Sequence, residues 1–193
     1  MKDFRLKVFN RASLSHHFEE ETFKQMQRKN IKFPTYLSSG QEFIPATIAQ
    51  IMEDKGIEPS IFSQVPIGVG HCFATRKPTI IFVGDSAAEE DYSLSAIGWA
   101  VTKKLPILFV IEDNNLSILT EKKVRRSWEM SDVATGFGMK HSYNISDDPL
   151  VIEKHMKNVF EEPMLLNINT NRRYWHAGPG CDDENIFNRY EDE

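Results

Sequence analysis

The sequence predicts a doubly wound α/β layer, a parallel sheet with helices packed on both faces. Three observations carry that reading. The runs TIIFV at 79–83, PILFVI at 106–111 and MLLNINT at 164–170 lack the polar alternation of a half-solvated strand, so both of their faces need cover. Stretches of helical pattern separate them, as crossovers between parallel strands require. Two of the runs end abruptly on acid and amide side chains, Gly84-Asp85 and Glu112-Asp113-Asn114-Asn115. That is the end at which ligands bind in open α/β sheets.

The elements follow in chain order. Phe18, Phe23 and Met26 give the N-terminal segment a rough apolar side, with Ser13 or Ser15 as its cap. IKFPTYL at 32–38 reads as extended around Pro34. Gly40 opens a second helix through about Asp54, with Phe43, Ile44, Ile48 and Ile51 on one side and Gly56 as C-cap. From residue 66 a small-residue helix, IGVGHCFA, leads into the strand at 79–83. The next helix, from about Tyr92 to Lys103, carries Leu94, Ile97, Trp99, Ala100 and Val101 as its apolar members. Residues 131–136 make a short helix capped by Gly136, MKHSYNI at 139–145 a strand, and 148–160 an amphipathic helix. With 164–170 the strands number about four. The tail, NRRYWHAGPGCDDENIFNRYEDE, has loop composition. The whole reads as one domain over 1–193, with a helical arm over about 1–35 and a loop-rich tail over about 171–193.

Composition narrows the function classes. The chain has 193 residues, 40% hydrophobic and 26% charged, close to the globular average and long enough to bury a core. A net charge of −5 argues against a general nucleic-acid surface. Runs such as ILFVI are too short to cross a bilayer, and MKDFRLKVFNR has no signal-peptide core. Cys72 and Cys181 form no CxxC, which excludes zinc ribbons and disulfide scaffolds and fits a reducing cytoplasm. No HExxH, Walker A loop or GxGxxG is present. Among the other histidines, His16, His17 and His155 fall in helices or at caps, His71 in the small-residue helix and His141 in a strand.

Chemistry is expected where the two loaded strand ends meet. Asp85 offers a carboxylate oxygen, Asn114 an amide oxygen, and irregular backbone after Asn114 a carbonyl. Such a three-oxygen set with a single charge suits a hard cation, and Mg²⁺ prefers it when a phosphate completes the octahedron. The helix beginning near Tyr92 adds the positive end of its dipole to the region. Taken singly, Asp and Asn at strand ends are ordinary turn residues. The case rests on the pair, 29 residues apart at matching strand ends.

The segment GDSAAEEDYSLSAIGWAVTKKLPILFVIEDNNLSILT resembles the thiamin-diphosphate fingerprint: Gly-Asp-Gly, a helix, a Lys-Leu-Pro turn, an apolar strand and an Asn pair. SSGQEFIPATIAQIM at 38–52 and SQVPIGVGHCFA at 63–74 resemble two further blocks of the same family, in the same order. The family is that of the alpha subunits of 2-oxo acid dehydrogenases, the decarboxylating first components of their complexes, and of acetoin dehydrogenase. The resemblance covers roughly residues 18–180. It implies a thiamin-diphosphate-binding fold, with thiamin diphosphate and Mg²⁺ as cofactors. Asp85 and Asn114 would be metal ligands, with the carbonyl of Leu116 as the third. Gly84 and the N–H groups of Ser86 and Ala87 would face the diphosphate. Ile61, three before Gln64, would support the cofactor's bend. Arg172 matches a family arginine position, and His176 a catalytic histidine at the mouth of the site. The resemblance further implies a beta-like partner subunit, in an α2β2 assembly, which carries the pyrimidine domain and the activating glutamate. The substrate would be a 2-oxo acid or related carbonyl compound, undergoing decarboxylation or acyl or ketol transfer. On this reading 193 residues hold the diphosphate half of an active site.

Several positions depart from the family pattern. Ser86 stands where the third fingerprint residue is Gly, and Asp113 replaces the first Asn of the pair. Glu89, Glu90 and Asp91 make the loop unusually acidic for an anion site. Only Glu53 to Ser63 fill the gap in which the family carries a Tyr-Arg-x-His element. Arg126, in KKVRRSWEMSD, is a candidate compensating charge, though such a basic run is also an ordinary solvated face. Two alternatives stay open: a non-catalytic, degenerate partner subunit, and a Gly-Asp-Ser-type esterase with Ser86 as nucleophile. The esterase would need a late Asp-x-x-His, which the chain lacks.

Overall fold

The computed structural model describes residues 2–181 and 186–193. It opens with α1 (Lys2–Gln27) and α2 (Phe43–Lys55), which pack on each other through Val8, Ala12, Phe43 and Ala46. The sheet layer then begins with β1 (Ser60–Phe62), α3 (Val65–Thr75) and β2 (Thr79–Gly84). After β2 come α4 (Asp85–Ala88), α5 (Asp91–Thr102) and β3 (Ile107–Asp113). A two-stranded hairpin, β4 (Leu116–Ser117) and β5 (Thr120–Glu121), leads into α6 (Lys122–Arg125) and α7 (Met130–Gly136). The chain continues with β6 (His141–Ser146), α8 (Pro149–His155), β7 (Met164–Asn169) and α9 (Arg189–Asp192).

Five strands form a parallel sheet in the order β1-β2-β3-β7-β6. Successive side chains of a strand point to opposite faces, and the two cores follow that period. Ile81, Val83, Ile107, Phe109, Ile111 and Leu165 meet α3, α5 and α7 on one face. Ile80, Leu108, Val110, Met164, Leu166 and Ile168 meet α2 and α8 on the other. The apolar runs therefore have no polar alternation because neither face sees water. Burial of each such side chain is worth about 1.5–3 kcal/mol.

The sequence reading needs correction at several boundaries. The strands number five. Ser60–Phe62, wedged between Pro59 and the next helix, is too short to show a period but pairs with Thr79–Ile81. Ser13 and Ser15 cap nothing: α1 runs through both, because no breaker interrupts it and Asp3 already serves its first turn. Gly40 does not start α2, which begins at Phe43. Gly40 instead sits in a turn at φ +98, and a Cβ there would meet the Asn171 carbonyl oxygen at 2.4 Å. The C-cap of α7 is Phe137, with Gly138 rather than Gly136 at positive φ. The helix expected over 148–160 stops at His155, with Met156 as C-cap. The tail is not all loop, since α9 lies within it.

That tail packs back on the N-terminal arm. Tyr190 of α9 stacks on His16 with ring centroids 3.8 Å apart. His16 is buried, and its Nδ1 lies 2.6 Å from Glu42 Oε1. Glu42 Oε2 accepts the Gly40 N–H at 2.6 Å, and the Gly40 carbonyl accepts the Thr170 hydroxyl at 3.2 Å. The turn before α2 is thereby fastened to the carboxyl end of β7.

Candidate active site

β2 and β3 are neighbours and end in step, with Gly84 paired to Glu112. Asp85 is the first residue of α4, placed there because Gly84 leaves β2 in an extended conformation and the chain turns at once into a helix. Its residue surface is 2% exposed. Asp113 ends β3 and is 3% exposed. Asn114 follows in an Asx turn, its Oδ1 accepting the Leu116 N–H at 3.1 Å, with Asn115 at φ +66. The two strand ends thus place Asp85, Asn114 and Leu116 at the carboxyl end of the sheet. Space above Gly84 is open, with no heavy atom within 4 Å of a Cβ built there.

The carboxylates are met by a basic segment. Arg125 donates from Nη2 to Asp85 and from Nη1 to Glu89 at 2.6 Å. Arg126 is held beneath them, donating from Nη1 to the Asp85 carbonyl at 3.3 Å and lying 3.1 Å from Glu89 Oε2. Its guanidinium packs over Trp128 at 4.9 Å. Lys122 donates to Asp113 Oδ2 at 2.7 Å and to Glu129 at 3.1 Å. Asn167, from β7, also donates to Asp113 Oδ2, at 2.9 Å, and the Asn115 N–H donates to Oδ1 at 3.0 Å.

These contacts set the protonation of the site. Burial pushes Asp113 up, but Lys122 and Asn167 outweigh it and hold the carboxyl below its ordinary range. Asp85 goes the other way: burial raises it, and Arg125 only partly offsets that. Glu112, half-buried between Gly84 and Ile168, is pushed up to about 7 by burial.

The remaining expected residues are spread over the same end of the molecule and beyond it. Arg172 is buried and donates to the Ile118 carbonyl at 2.8 Å, which ties the segment after β7 to the β4–β5 hairpin. His176 is exposed and meets the ring of Tyr36 edge-on at 5.0 Å. Ile61 is 65% exposed on the edge strand β1. It pairs with Ile80, four positions before Gly84 and so about 13 Å along the strand. Ser86 is half-buried at the start of α4. The hydrogen bonds of the described histidines go to Glu42, Ser60, Tyr143, Tyr190 and the Val151 carbonyl, none to Ser86. The esterase reading therefore lacks its serine–histidine pair among the described residues.

Sequence reasoning overlooked Lys122, Arg125 and Asn167. The signal was present in the run KKVRR and in an Asn lodged inside an apolar strand. Among the described residues no three His, Cys, Asp or Glu side chains cluster as a metal site. Asp85, Asn114 and Leu116 offer one carboxylate, one amide oxygen and one backbone carbonyl at this end of the sheet, donor types a hard cation takes alongside phosphate oxygens; Asp85 pairs with Arg125, and the Asn114 amide oxygen accepts the Leu116 N–H.

The architecture is the thiamin-diphosphate-binding α/β fold. It matches transketolase from Campylobacter jejuni subsp. jejuni NCTC 11168 with a TM-score of 0.71 and 12% identity, over 89% of this chain and 40% of that one. A transketolase variant from Pichia stipitis matches with a TM-score of 0.51 and 20% identity, over 61% and 22%. The model of the family described as dehydrogenase E1 component matches residues 21–193, and the chain belongs to that family. The alpha subunit of the pyruvate dehydrogenase E1 component from Rickettsia prowazekii (strain Madrid E) is 31% identical over 131 residues. That match takes in 60% of this chain and 39% of the relative, so the chain spans about two fifths of that protein's length. No helix among the described residues is long and apolar enough to cross a membrane.

Proposed function

We propose that this chain is the diphosphate-holding, alpha-like part of a two-subunit thiamin-diphosphate enzyme acting on a 2-oxo acid or related carbonyl substrate. The observation that carries the reading is the meeting of Asp85 and Asn114 at adjacent strand ends, inside a chain of the E1 family. Asp85, Asn114 and the Leu116 carbonyl would hold Mg²⁺, and Gly84, Ser86 and Ala87 would line the diphosphate. When bound, thiamin diphosphate supplies the electron sink for decarboxylation or for acyl or ketol transfer. The residues of this chain neutralise and orient its phosphate end. Arg172 braces the hairpin beside it, Ile61 offers apolar support for the cofactor's bend, and His176 stands at the mouth for substrate. The activating glutamate and the pyrimidine pocket would come from a beta-like partner in an α2β2 assembly.

Binding of thiamin diphosphate with Mg²⁺, followed by calorimetry on the chain with its partner, tests the reading. Asp85→Asn should abolish Mg²⁺-dependent cofactor binding while leaving the circular dichroism spectrum unchanged. Undiminished binding in that variant refutes the assignment. A non-catalytic partner subunit is the second reading, favoured by one observation: Asp85 and Asp113 already have internal cations. No binding by the wild type at millimolar cofactor would support it.

A further inference from the structure

The cations at the strand ends are mounted differently. Arg126 has a side chain only 1% exposed and is fixed against Trp128, Glu89 and the Asp85 carbonyl. Arg125 and Lys122 belong to α6, a single helical turn with no buried residue. Val124, on the same turn, is 73% exposed. The α6 side chains that reach the body of the protein do so by ion pairs: Lys122 to Asp113 and Glu129, Arg125 to Asp85 and Glu89. The position of this turn therefore depends on those pairings rather than on apolar packing, so a change of partner at a carboxylate is felt directly by the cation it holds. One of the carboxylates that holds it, Asp85, is the carboxylate a metal ion would take. The Nε of Arg125 is buried with no hydrogen-bond partner, so this guanidinium also has a donor unused.

Resting on the cofactor reading above, we propose that Arg125 is an exchangeable counter-ion. It pairs with the Asp85 carboxylate and would pass to the diphosphate when a metal takes that carboxylate, pivoting on Glu89. A guanidinium can do this because its donors form a rigid fork. Nη1 stays on Glu89 while Nη2 leaves Asp85 for a phosphate oxygen. The pairing with Arg125 offsets the buried charge of Asp85. The exchange also supplies a cationic contact to phosphate in a chain without the Tyr-Arg-x-His segment. Metal and diphosphate would then bind cooperatively, since the metal releases Arg125 to the diphosphate and the diphosphate draws Arg125 off the metal's carboxylate.

The test uses the full chain, Mn²⁺ binding followed by electron paramagnetic resonance, and inorganic pyrophosphate binding followed by calorimetry. Arg125→Gln should bind Mn²⁺ alone about tenfold or more tighter, and pyrophosphate with metal about tenfold or more weaker, the size of a charge-assisted hydrogen bond. Asp85→Asn, which frees Arg125, should bind pyrophosphate more tightly than wild type in the absence of metal. This second variant decides the matter if Arg125→Gln fails to fold. Mn²⁺ and pyrophosphate affinities moving in the same direction in Arg125→Gln overturn the proposal, as does unchanged metal-free pyrophosphate binding in Asp85→Asn. Wild type that binds thiamin diphosphate with Mg²⁺, with Arg125→Gln equal to it in every titration, sinks the exchange and leaves the cofactor reading intact. Wild type that binds pyrophosphate but not thiamin diphosphate, with both variants moving as expected, sinks the cofactor reading and supports the exchange.

Discussion

Replacing Glu112 by glutamine should flatten the pH dependence of stability between pH 5 and 8. In the folded chain the carboxyl is pushed from its ordinary 4.5 to about 7 by burial. A folded-state value above the unfolded one means that the folded chain binds more protons through this interval. Stability from this group is therefore full below about pH 4.5 and drains away as pH rises through about 7. Linkage over that shift gives a loss of roughly 2.5 kcal/mol between pH 5 and pH 8. Glu112 is only half-buried, and water reaching it screens the effect, so about 1–2.5 kcal/mol is the expected range. Urea unfolding of wild type and Glu112→Gln at pH 5, 6.5 and 8 measures it, because other titrating groups cancel in the difference. The glutamine variant should gain on wild type steadily as pH rises. Parallel profiles, with a difference that stays constant within about 0.5 kcal/mol, would refute the claim that burial keeps this carboxyl protonated near neutrality.

Two further outcomes follow from the same geometry. Asp113→Asn should destabilise the chain at pH 7 by about 1–3 kcal/mol, because Lys122 loses its buried partner and keeps Glu129. Since Asp113 is held below its ordinary range, that difference should shrink as pH falls below about 4 and wild type protonates, which acid titration of the two proteins will show. Gly40→Ala should cost about 3 kcal/mol in chemical denaturation, since it combines a positive φ with a clash against the Asn171 backbone. A variant as stable as wild type would mean that the turn can move away from β7.

The long, uniformly apolar strands were legible in the sequence because burial on both faces leaves a composition signal that needs no knowledge of partners. Asp85 and Asn114 were legible because strand ends fall where that signal stops. β1 was not, since three residues carry no period and its pairing with β2 is a tertiary fact. The charge balance at the site escaped for a related reason. Asp113 read as an excess negative charge, yet its answering cation, Lys122, is nine residues away across a hairpin whose geometry no local pattern encodes. Likewise, Glu89 read as hostile to an anion and proves to be the support for Arg125 and Arg126.

The amide of Asn167 has a consequence for assembly of the sheet itself. Strands made only of Ile, Leu, Val and Phe can slide by two residues and still present the right side chains to each face, so apolar burial alone leaves their alignment under-determined. Asn167 reaches Asp113 on one side and Asn144 on the other, and Asn169 shares that same Asn144 oxygen. Slippage of β7 past β3 would strand the buried amide of Asn167 and carboxylate of Asp113 against hydrocarbon, while Asn144 and Asn169 lie on the exposed side of the same ladder. The polar residues around Asp113 thus also act as alignment pins of the sheet, so a chain that has locked its strands correctly has already set the carboxyl end of β3 in place.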